Sequence, residues 1–441
     1  MKQQPDVILV HVPRLTARCK YIMGLLLRDI LGLDFTLTDN ATEWQAYGGY
    51  KFSYGKRPIS EALHFTDQGL VFESGIKLFE ISETEWKGRK AIFSVRGNSA
   101  LPFDVFAASF YMVSRYEEYM PHKRDKHGRF LASQSIAFKL DLLSEPIVNY
   151  WANDLLQVLE LRWGTLRRNG PQFKFVPTVD IDNAYAYKHK GFIRAIGGLM
   201  ADLSSANLNH AAFRLSVLFG IKHDPYDTYD YQMNLIRKYP HEPIYFFLLG
   251  DFAQYDRNVP HQNRFLQTLV KQLDDVGICG IHPSYRSNEN LGRLKMEVAR
   301  LSAILHREIT LSRQHFLKFQ LPATYQNLLA CDITDDYSMG YAEMPGFRAG
   351  IASPFMFYDL DLETETPLKI HPVGIMDGTL KDYMNLEPDE AEKIIYETIQ
   401  KVKSVQGEFV SIWHNESFAE NQRWKGWRKV YETLLKTALN S

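Results

Sequence analysis

Apolar positions in the second half of the chain alternate between short continuous runs and longer stretches with helical spacing. Five short runs are expected to form strands, at residues 173–182, 243–250, 279–282, 309–316 and 408–415. Between them, apolar residues recur with the spacing of amphipathic helices at residues 261–277, 290–306 and 388–407. In the first of these helices the core face is expected to comprise Phe265, Leu266, Leu269, Val270, Leu273 and Val276. Strands that alternate with helices in this way predict a parallel sheet or a (β/α) barrel.

The first half of the chain has its own pattern. A short strand is expected at residues 6–12, and helices are expected at about 17–31, 102–119 and 146–166. The segment 167–172, RRNGPQ, is polar and contains a Gly-Pro break, which is typical of a linker. We therefore predict two domains, a smaller α/β accessory domain at residues 1–168 and a second α/β domain at residues 172–441.

The composition is that of an ordinary globular protein, with 45% hydrophobic and 23% charged residues in a chain of 441. A chain of this length exceeds what one hydrophobic core usually supports, which agrees with two domains. The net charge is −1 and no long basic run occurs, so a nucleic-acid partner is not expected.

The chain contains no run of eighteen apolar residues, so no membrane-spanning segment is expected. The first residues, MKQQPDVILVHVPRL, lack the long apolar run and the cleavage site of a signal peptide. The three cysteines are widely spaced, which is unlike a disulfide framework or a cysteine zinc site. These observations predict a cytoplasmic protein.

The predicted strands end in a shared set of polar side chains, namely Asp180, Asp182, His282, Arg313, His315 and His414. The carboxyl ends of parallel strands converge on one edge of a sheet or barrel, so these side chains are expected to meet. Asp180 and Asp182 lie two residues apart and share a strand face, where two carboxylates need a cation, a proton or water. The set indicates a site for one divalent metal, with one aspartate as ligand and the other as a base acting on water.

The motifs TVDID, GIHPSY, SRQHF and SIWHN, in this order, resemble those of polysaccharide deacetylases of the NodB-homology type, carbohydrate esterase family four. Residues 102–130 resemble the extra domain that a bacterial subgroup carries. The resemblance implies a distorted (β/α) barrel of the NodB-homology type at residues 172–441. It also implies a metal-dependent hydrolase that removes an N- or O-linked acetyl group from a carbohydrate. Zinc is the expected metal, with cobalt or nickel as alternatives.

The same resemblance implies roles for individual residues. Asp180 corresponds to the catalytic base and Asp182 to a metal ligand, although TVDID spaces them by one residue more than the family motif. His282 corresponds to the first histidine ligand. The position of the second histidine is Arg286, which cannot bind a metal. His315 is predicted to replace it, with a hydrogen-bonded core histidine as the alternative.

The remaining motifs imply the other catalytic groups. Arg313 corresponds to the arginine that orients the base, and His414 corresponds to the general acid. Arg348, in the segment GFRAG, is predicted to hold a substrate oxyanion or an acidic sugar, with a structural ion pair as the alternative. Trp413, beside His414, is predicted to contact the substrate.

Two other functions remain open on the sequence. The first is a catalytically inactive carbohydrate-binding or scaffolding protein of polysaccharide metabolism, which Arg286 at a ligand position favours. The second is a glycosidase that uses Asp180 and Asp182 as acid and base. Glycosidases hold their carboxylates roughly 5–9.5 Å apart, which is more than we expect for two carboxylates on one strand face.

Overall fold

In the computed structural model, which describes residues 7–421 and 423–440, the chain forms two compact units. Unit 1 comprises Met1–Lys174, Gly346–Pro372 and Lys401–Glu408, and unit 2 comprises Phe175–Pro345, Val373–Gln400 and Phe409–Ser441. The chain first leaves unit 1 at Lys174, just after the predicted linker, but it later returns twice. The sequence pattern did not predict these returns. Asp6, the first residue of the predicted strand 6–12, lies outside the described residues.

The described strands are mostly four to eight residues long. They are β1 (Ile8–His11), β2 (Phe35–Thr38), β3 (Lys51–Gly55), β4 (Leu63–Thr66), β5 (Glu83–Trp86), β6 (Arg89–Ile92), β7 (Lys174–Ile181), β8 (Ile244–Phe247), β9 (Ile278–Ile281), β10 (Leu311–Ser312), β11 (Asp335–Asp336), β12 (Phe355–Asp359), β13 (Thr364–Ile370), β14 (Val373–Met376) and β15 (Glu408–His414).

The described helices are α1 (Ala17–Met23), α2 (Ala41–Ala46), α3 (Val105–Val113), α4 (Ile136–Lys139), α5 (Ile147–Trp163), α6 (Phe192–Ser204), α7 (Leu208–Leu218), α8 (Tyr229–Lys238), α9 (Arg264–Asp274), α10 (Leu291–Leu305), α11 (Ala323–Leu329), α12 (Pro388–Ser404) and α13 (Trp427–Leu439). A π-helical stretch, Gly24–Ile30, continues α1. The predicted helix at 102–119 is shorter than expected, because the chain leaves α3 through Arg115 in the left-handed conformation.

Unit 1 contains a four-stranded parallel sheet in the order β2-β1-β3-β4. The antiparallel pairs β5–β6 and β12–β13 also belong to it. Helix α3 is completely buried, and Asp104 caps its amino end by accepting hydrogen bonds from two backbone N–H groups. The apolar character of α3 on all sides therefore reflects burial on all sides.

Unit 2 is built on a parallel sheet in the order β11-β10-β9-β8-β7-β15-β14. Strands β11 to β7 pair in parallel along this order, as do β15 and β14. Helices lie between successive strands in the sequence, so this unit is a mixed α/β fold, as predicted. Closure into a distorted barrel of the NodB-homology type stays a prediction. The parallel arrangement brings the carboxyl ends of the strands to one edge of the sheet.

Helix α9 shows how the sequence sets a local boundary and a buried face. Asn263 caps its amino end, with Oδ1 accepting a hydrogen bond from the Phe265 N–H at 2.9 Å. The predicted core positions Leu266, Leu269, Val270 and Leu273 are buried. Phe265 is an exception, because 60% of its surface is exposed. Its ring stacks on His189, with centroids 4.0 Å apart.

Arg348 lies in unit 1, where it forms a buried ion pair. Its Nε and Nη2 donate to the two carboxylate oxygens of Glu118 at 2.9 and 2.6 Å. Arg115 Nε donates to the same carboxylate at 2.8 Å. All three side chains are at most 3% exposed. The alternative expected for Arg348, a structural ion pair, is the one the structure has. Its guanidinium already binds the Glu118 carboxylate and does not contact substrate in this arrangement.

We expect Glu118→Gln to lower the free energy of unfolding by about 3–5 kcal/mol at pH 7, because it removes the buried negative charge that Arg348 and Arg115 share. Urea denaturation of the full chain followed by circular dichroism measures the change. Glu80 is exposed, and Glu80→Gln is the matched control with an expected change within about 0.5 kcal/mol. Equal stability of the two variants would contradict a stabilising role for this cluster.

The effect of Glu118→Gln is expected to depend on pH. Burial disfavours the Glu118 carboxylate, but Arg348 and Arg115 outweigh burial and lower its pKa from 4.5 to about 2. Because the unfolded chain then binds the proton more tightly, this group stabilises the fold above about pH 4.5 and loses its contribution as the pH falls towards 2. The stability difference between the parent and Glu118→Gln should shrink over that range.

Candidate metal centre

The predicted strand-end residues of unit 2 converge at the carboxyl edge of its sheet. Asp180 lies near the end of β7 and Asp182 directly follows it. His282 directly follows β9, and His414 is the last residue of β15. Strand β10 is shorter than the predicted strand 309–316. His315 follows it and begins a short 3-10 turn. The parallel topology therefore brings together side chains that lie far apart in the sequence.

Three of these side chains form a compact cluster of potential metal ligands. Ligand atoms of Asp182, His282 and His315 all lie within 4.8 Å of one another. His282 Nε2 is 3.1 Å from Asp182 Oδ1, and His315 Nε2 is 3.3 Å from Asp182 Oδ2. His282 and His315 are buried, whereas the Asp182 side chain is 35% exposed and gives the cluster access to solvent.

The second ring nitrogen of each histidine is held by the protein. His282 Nδ1 lies 2.5 Å from the Arg313 carbonyl oxygen, which can only accept, so Nδ1 carries the proton. His315 Nδ1 lies 3.0 Å from Asp256 Oδ1. Asp256 is fully buried and also accepts a hydrogen bond from the Tyr285 N–H at 2.9 Å. Such contacts fix the orientation of metal-binding histidines in proteins.

This arrangement fits a divalent cation. With Nδ1 protonated, a neutral imidazole presents the lone pair of Nε2, and both Nε2 atoms face the Asp182 carboxylate. Lone pairs that face a carboxylate repel it unless a proton or a metal lies between them. Asp182 Oδ1 and Asp180 Oδ1 are buried and accept no hydrogen bond within the described part of the chain. Two histidines and one aspartate are a ligand set that suits zinc and leaves a coordination position open.

Asp180 lies beside the cluster on the same strand face as Asp182. Its Oδ2 is 3.9 Å from His282 Nε2, and its Oδ1 is 3.7 Å from Arg313 Nη1. Arg313 is completely buried, and its Nη2 donates to Thr178 Oγ1 at 2.7 Å. Burial lowers the pKa of Arg313, and the Asp180 carboxylate acts in the opposite direction. The arginine thus places a fixed positive charge next to Asp180.

His414 lies on the opposite side of Asp182, with 3.9 Å between its Nε2 and Asp182 Oδ2. Its Nδ1 is 2.7 Å from Asp377 Oδ1, and its backbone N–H donates to Asp377 Oδ2 at 2.8 Å. Ser417 Oγ also donates to Asp377. Asp377 is completely buried, so the orientation of the His414 ring is fixed from behind.

The charges of the cluster are strongly coupled. Burial disfavours the Asp182 carboxylate, but the positive His315 and His414 outweigh burial and hold its pKa well below the usual value. Burial likewise disfavours protonated His315, but Asp182 and Asp256 raise its pKa to about 9. The pKa of His414 is raised well above its usual value because Asp377 and Asp182 outweigh burial. The carboxylates of the cluster therefore attract positive charge, which either a proton on His315 or a bound cation can supply.

One predicted participant, Trp413, is part of the apolar core instead. Trp413 is completely buried and packs on Tyr431 and Trp427, with ring centroids 5.0 and 6.0 Å away. Successive side chains of a strand point to opposite faces, so Trp413 points away from its neighbour His414. The predicted substrate contact of Trp413 is therefore wrong for this arrangement. Arg286, the departure from the family motif, is exposed.

The sequence reasoning missed Asp256 and Asp377. Both lie in connecting segments, Asp256 after β8 and Asp377 after β14. The apolar pattern does not indicate which residues of such segments face the site. A weak signal for Asp377 was available, because it directly follows a strand in the segment GIMDG. Asp256 lies nine residues after β8 in a segment with no regular element, so its role could not be read from spacing.

A family of unknown function (DUF7033) matches residues 8–164. No curated protein matches the chain. A crystal structure from Mycobacterium smegmatis, assigned as a polysaccharide deacetylase, is similar at 11% identity and a TM-score of 0.40. The match covers 60% of this chain and 85% of that chain.

Two further solved structures show weaker similarity. A mutant of a CE4 family pseudoenzyme with restored enzymatic activity has 11% identity and a TM-score of 0.27, covering 60% of this chain and 66% of that chain. A polysaccharide deacetylase from Bacillus cereus has 12% identity and a TM-score of 0.24, covering 45% of this chain and 80% of that chain. At these values the similarities do not establish the family, and the site geometry carries the functional argument.

Proposed function

We propose that unit 2 is a metal-dependent hydrolase that removes an N- or O-linked acetyl group from a carbohydrate. The observation that supports the proposal best is the convergence of Asp182, His282 and His315, with Asp180 and His414 beside them. We assign the three clustered residues as ligands, with zinc as the preferred metal and cobalt or nickel as alternatives. We further propose that the sheet belongs to a distorted barrel of the NodB-homology type.

A bound divalent ion would polarise the acetyl carbonyl and lower the pKa of a water molecule towards about 7. Asp180 accepts the proton of the attacking water, since its carboxylate adjoins the cluster and Oδ1 has no hydrogen-bond donor among the described residues. The completely buried Arg313 guanidinium lies 3.7 Å from Oδ1 and places a positive charge beside this base.

His414 supplies the proton that the leaving group needs. Its Nδ1 is held by Asp377, so Nε2 is the nitrogen that faces the site, 3.9 Å from Asp182. Asp377, next to Nδ1, raises the pKa of His414 and thereby favours the protonated imidazole that a general acid requires. Proton transfer from Nε2 to the departing amine or alkoxide completes the reaction, in which water and the acetylated sugar give acetate and the free sugar.

We expect His414→Ala to lower kcat for an N-acetylated sugar by about 10²–10⁴-fold, the usual contribution of general acid catalysis. An aryl acetate should be much less affected, because its leaving group departs without a proton. Acetate release measured on both substrates with the same metal-loaded protein distinguishes the two effects. An equal loss on both substrates would contradict the role of general acid.

The proposal is tested by assaying acetate release after removal of metal with a chelator and reloading with zinc, cobalt or nickel. Acetylated amino-sugar oligomers and nucleotide sugars are suitable substrates. Turnover should depend on the added metal and should be absent from the chelated protein. If the chain binds these sugars but releases no acetate with any of the three metals, the inactive carbohydrate-binding protein is the better reading.

A further inference from the structure

A row of large apolar side chains is uncovered on helix α6 of unit 2. Phe192 is 80% exposed, Ile193 87% and Met200 64%. Ile196 and Leu203 are 41% and 51% exposed. The positions 193, 196, 200 and 203 follow each other at intervals of three or four residues, so they form one face of the helix. We call these five residues the apolar row.

The buried side chain of α6 is charged. Asp202 is buried and pairs with Arg214 of α7, with 2.6 Å between Oδ2 and Nε. A Cβ atom on Gly198 would lie 2.5 Å from the Arg214 guanidinium, so the two helices pack closely as an antiparallel hairpin. In a helix that packs on its own protein, the apolar face is normally the covered one. In this hairpin the apolar row is exposed and an ion pair is buried. An exposed apolar patch of this kind is typical of a surface that binds a protein partner or a membrane.

The apolar row continues onto the segment that follows β8. Phe252, which is 55% exposed, lies under the Arg194 guanidinium, 4.0 Å from its ring centroid. Arg194 Nη1 also donates to the Asn258 carbonyl at 2.8 Å. The hairpin and this segment leave adjacent strands, β7 and β8, at the carboxyl edge that carries the candidate metal centre. The apolar surface and the candidate site therefore lie at the same edge of the sheet.

The hairpin is also cationic. Residues 188–223 contain five lysine or arginine residues and one acidic residue, Asp202. Asp202 is neutralised by Arg214, which leaves Lys188, Lys190, Arg194 and Lys222 as the cations of this segment. Asp224, which follows, is buried and accepts hydrogen bonds from the backbone N–H groups of residues 186–188. The next exposed acidic residues, Asp227 and Asp230, lie at the amino end of α8. Large apolar side chains flanked by cations are the composition of helices that bind at the interface of an anionic bilayer.

We propose that the α6–α7 hairpin docks unit 2 onto an anionic membrane surface. The apolar row enters the boundary between headgroups and acyl chains, and the flanking lysines contact lipid phosphates. No helix in the described part of the chain is long and apolar enough to cross a membrane, so the attachment is interfacial. The net positive charge and the aliphatic and aromatic row favour a bilayer over a second copy of this chain, whose hairpin would carry the same charge.

The test uses the purified full chain and sucrose-loaded vesicles, made either of phosphatidylcholine alone or with about 30% phosphatidylglycerol. Sedimentation should show binding to the anionic vesicles that is at least about tenfold tighter than to the neutral ones and that weakens with salt. The variant Phe192→Ser/Ile193→Ser/Met200→Ser should lower the partition coefficient about 100-fold. Lys188→Gln/Lys222→Gln should reduce binding to anionic vesicles without changing the weak binding to neutral ones.

A matched control exists in unit 1, where Leu78, Leu161 and Leu362 are 89%, 87% and 64% exposed. The triple serine variant of these leucines should bind vesicles as the parent does. Equal vesicle binding by the two triple variants, or no vesicle binding by the parent, would overturn the proposal. A parent dimer that the hairpin variant converts to a monomer, without vesicle binding, would instead identify a second copy as the occupant. Each of these readouts is independent of hydrolase activity.

Discussion

Asp180→Asn is expected to lower kcat about 10³-fold while the protein retains its metal, because asparagine keeps the shape of the side chain but cannot accept the proton from water. Arg313 keeps its hydrogen bond to Thr178 and the favourable charges of Asp336 and Asp377, so the fold is expected to persist. Acetate release under saturating substrate measures the loss, and elemental analysis measures the metal. The matched control is Asp389→Asn, since the Asp389 side chain is 91% exposed.

The two readouts separate the base from a ligand. If Asp180→Asn loses turnover together with bound metal, Asp180 belongs to the ligand set, and the assignment of the two aspartates is reversed. Turnover equal to that of the parent would exclude Asp180 as the base. The extra residue between the two aspartates of TVDID makes this comparison the decisive one for the site.

His282→Ala is expected to weaken zinc binding by more than about 100-fold, because it removes a ligand whose lone pair faces Asp182 from 3.1 Å. Asp256→Asn leaves all three proposed ligands in place and disturbs only the orientation of His315, so we expect about 10–100-fold weaker binding. Competition with a chromogenic chelator gives both constants. His223 is exposed, and His223→Ala serves as the control.

The order of these effects is itself informative. A metal held by Asp182, His282 and His315 requires the loss from His282→Ala to exceed that from Asp256→Asn. Zinc binding that is unchanged in His282→Ala would exclude the proposed centre, even if the protein binds zinc elsewhere.

The sequence predicted the residues of the candidate site better than their partners. Short apolar runs locate strands, and parallel strands bring their carboxyl ends together, so Asp182, His282 and His414 could be expected to meet. The same reasoning cannot locate Asp256, because a connecting segment has no periodicity that fixes the direction of a side chain, and for Asp377 it offers only the weak signal of a position directly after a strand. Adjacency also misled the reasoning on Trp413, since neighbours along a strand face opposite sides.

Helix α6 illustrates a second limit of pattern reading. Ile193, Ile196 and Met200 form an apolar face of this helix at helical spacing. An apolar face is usually assigned to the core, whereas here the covered side contains the Asp202–Arg214 ion pair. Phe265 was misassigned for the same reason, because the pattern reports where apolar residues lie and does not report what covers them.

The returns of the chain to unit 1 have a consequence for the order in which that unit is completed during synthesis. Arg18 donates to Glu363 at 2.9 Å, Asn149 donates to Ser353 at 2.8 Å, and Glu118 pairs with Arg348, 230 residues later. A ribosome that has made residues 8–164 has therefore not yet supplied these partners. The buried charges of this segment must wait until the first segment of unit 2, Phe175–Pro345, has been made. Residues 8–164 are thus made before unit 2 but gain these native contacts after its first segment, in contrast to domains that fold in the order of their synthesis.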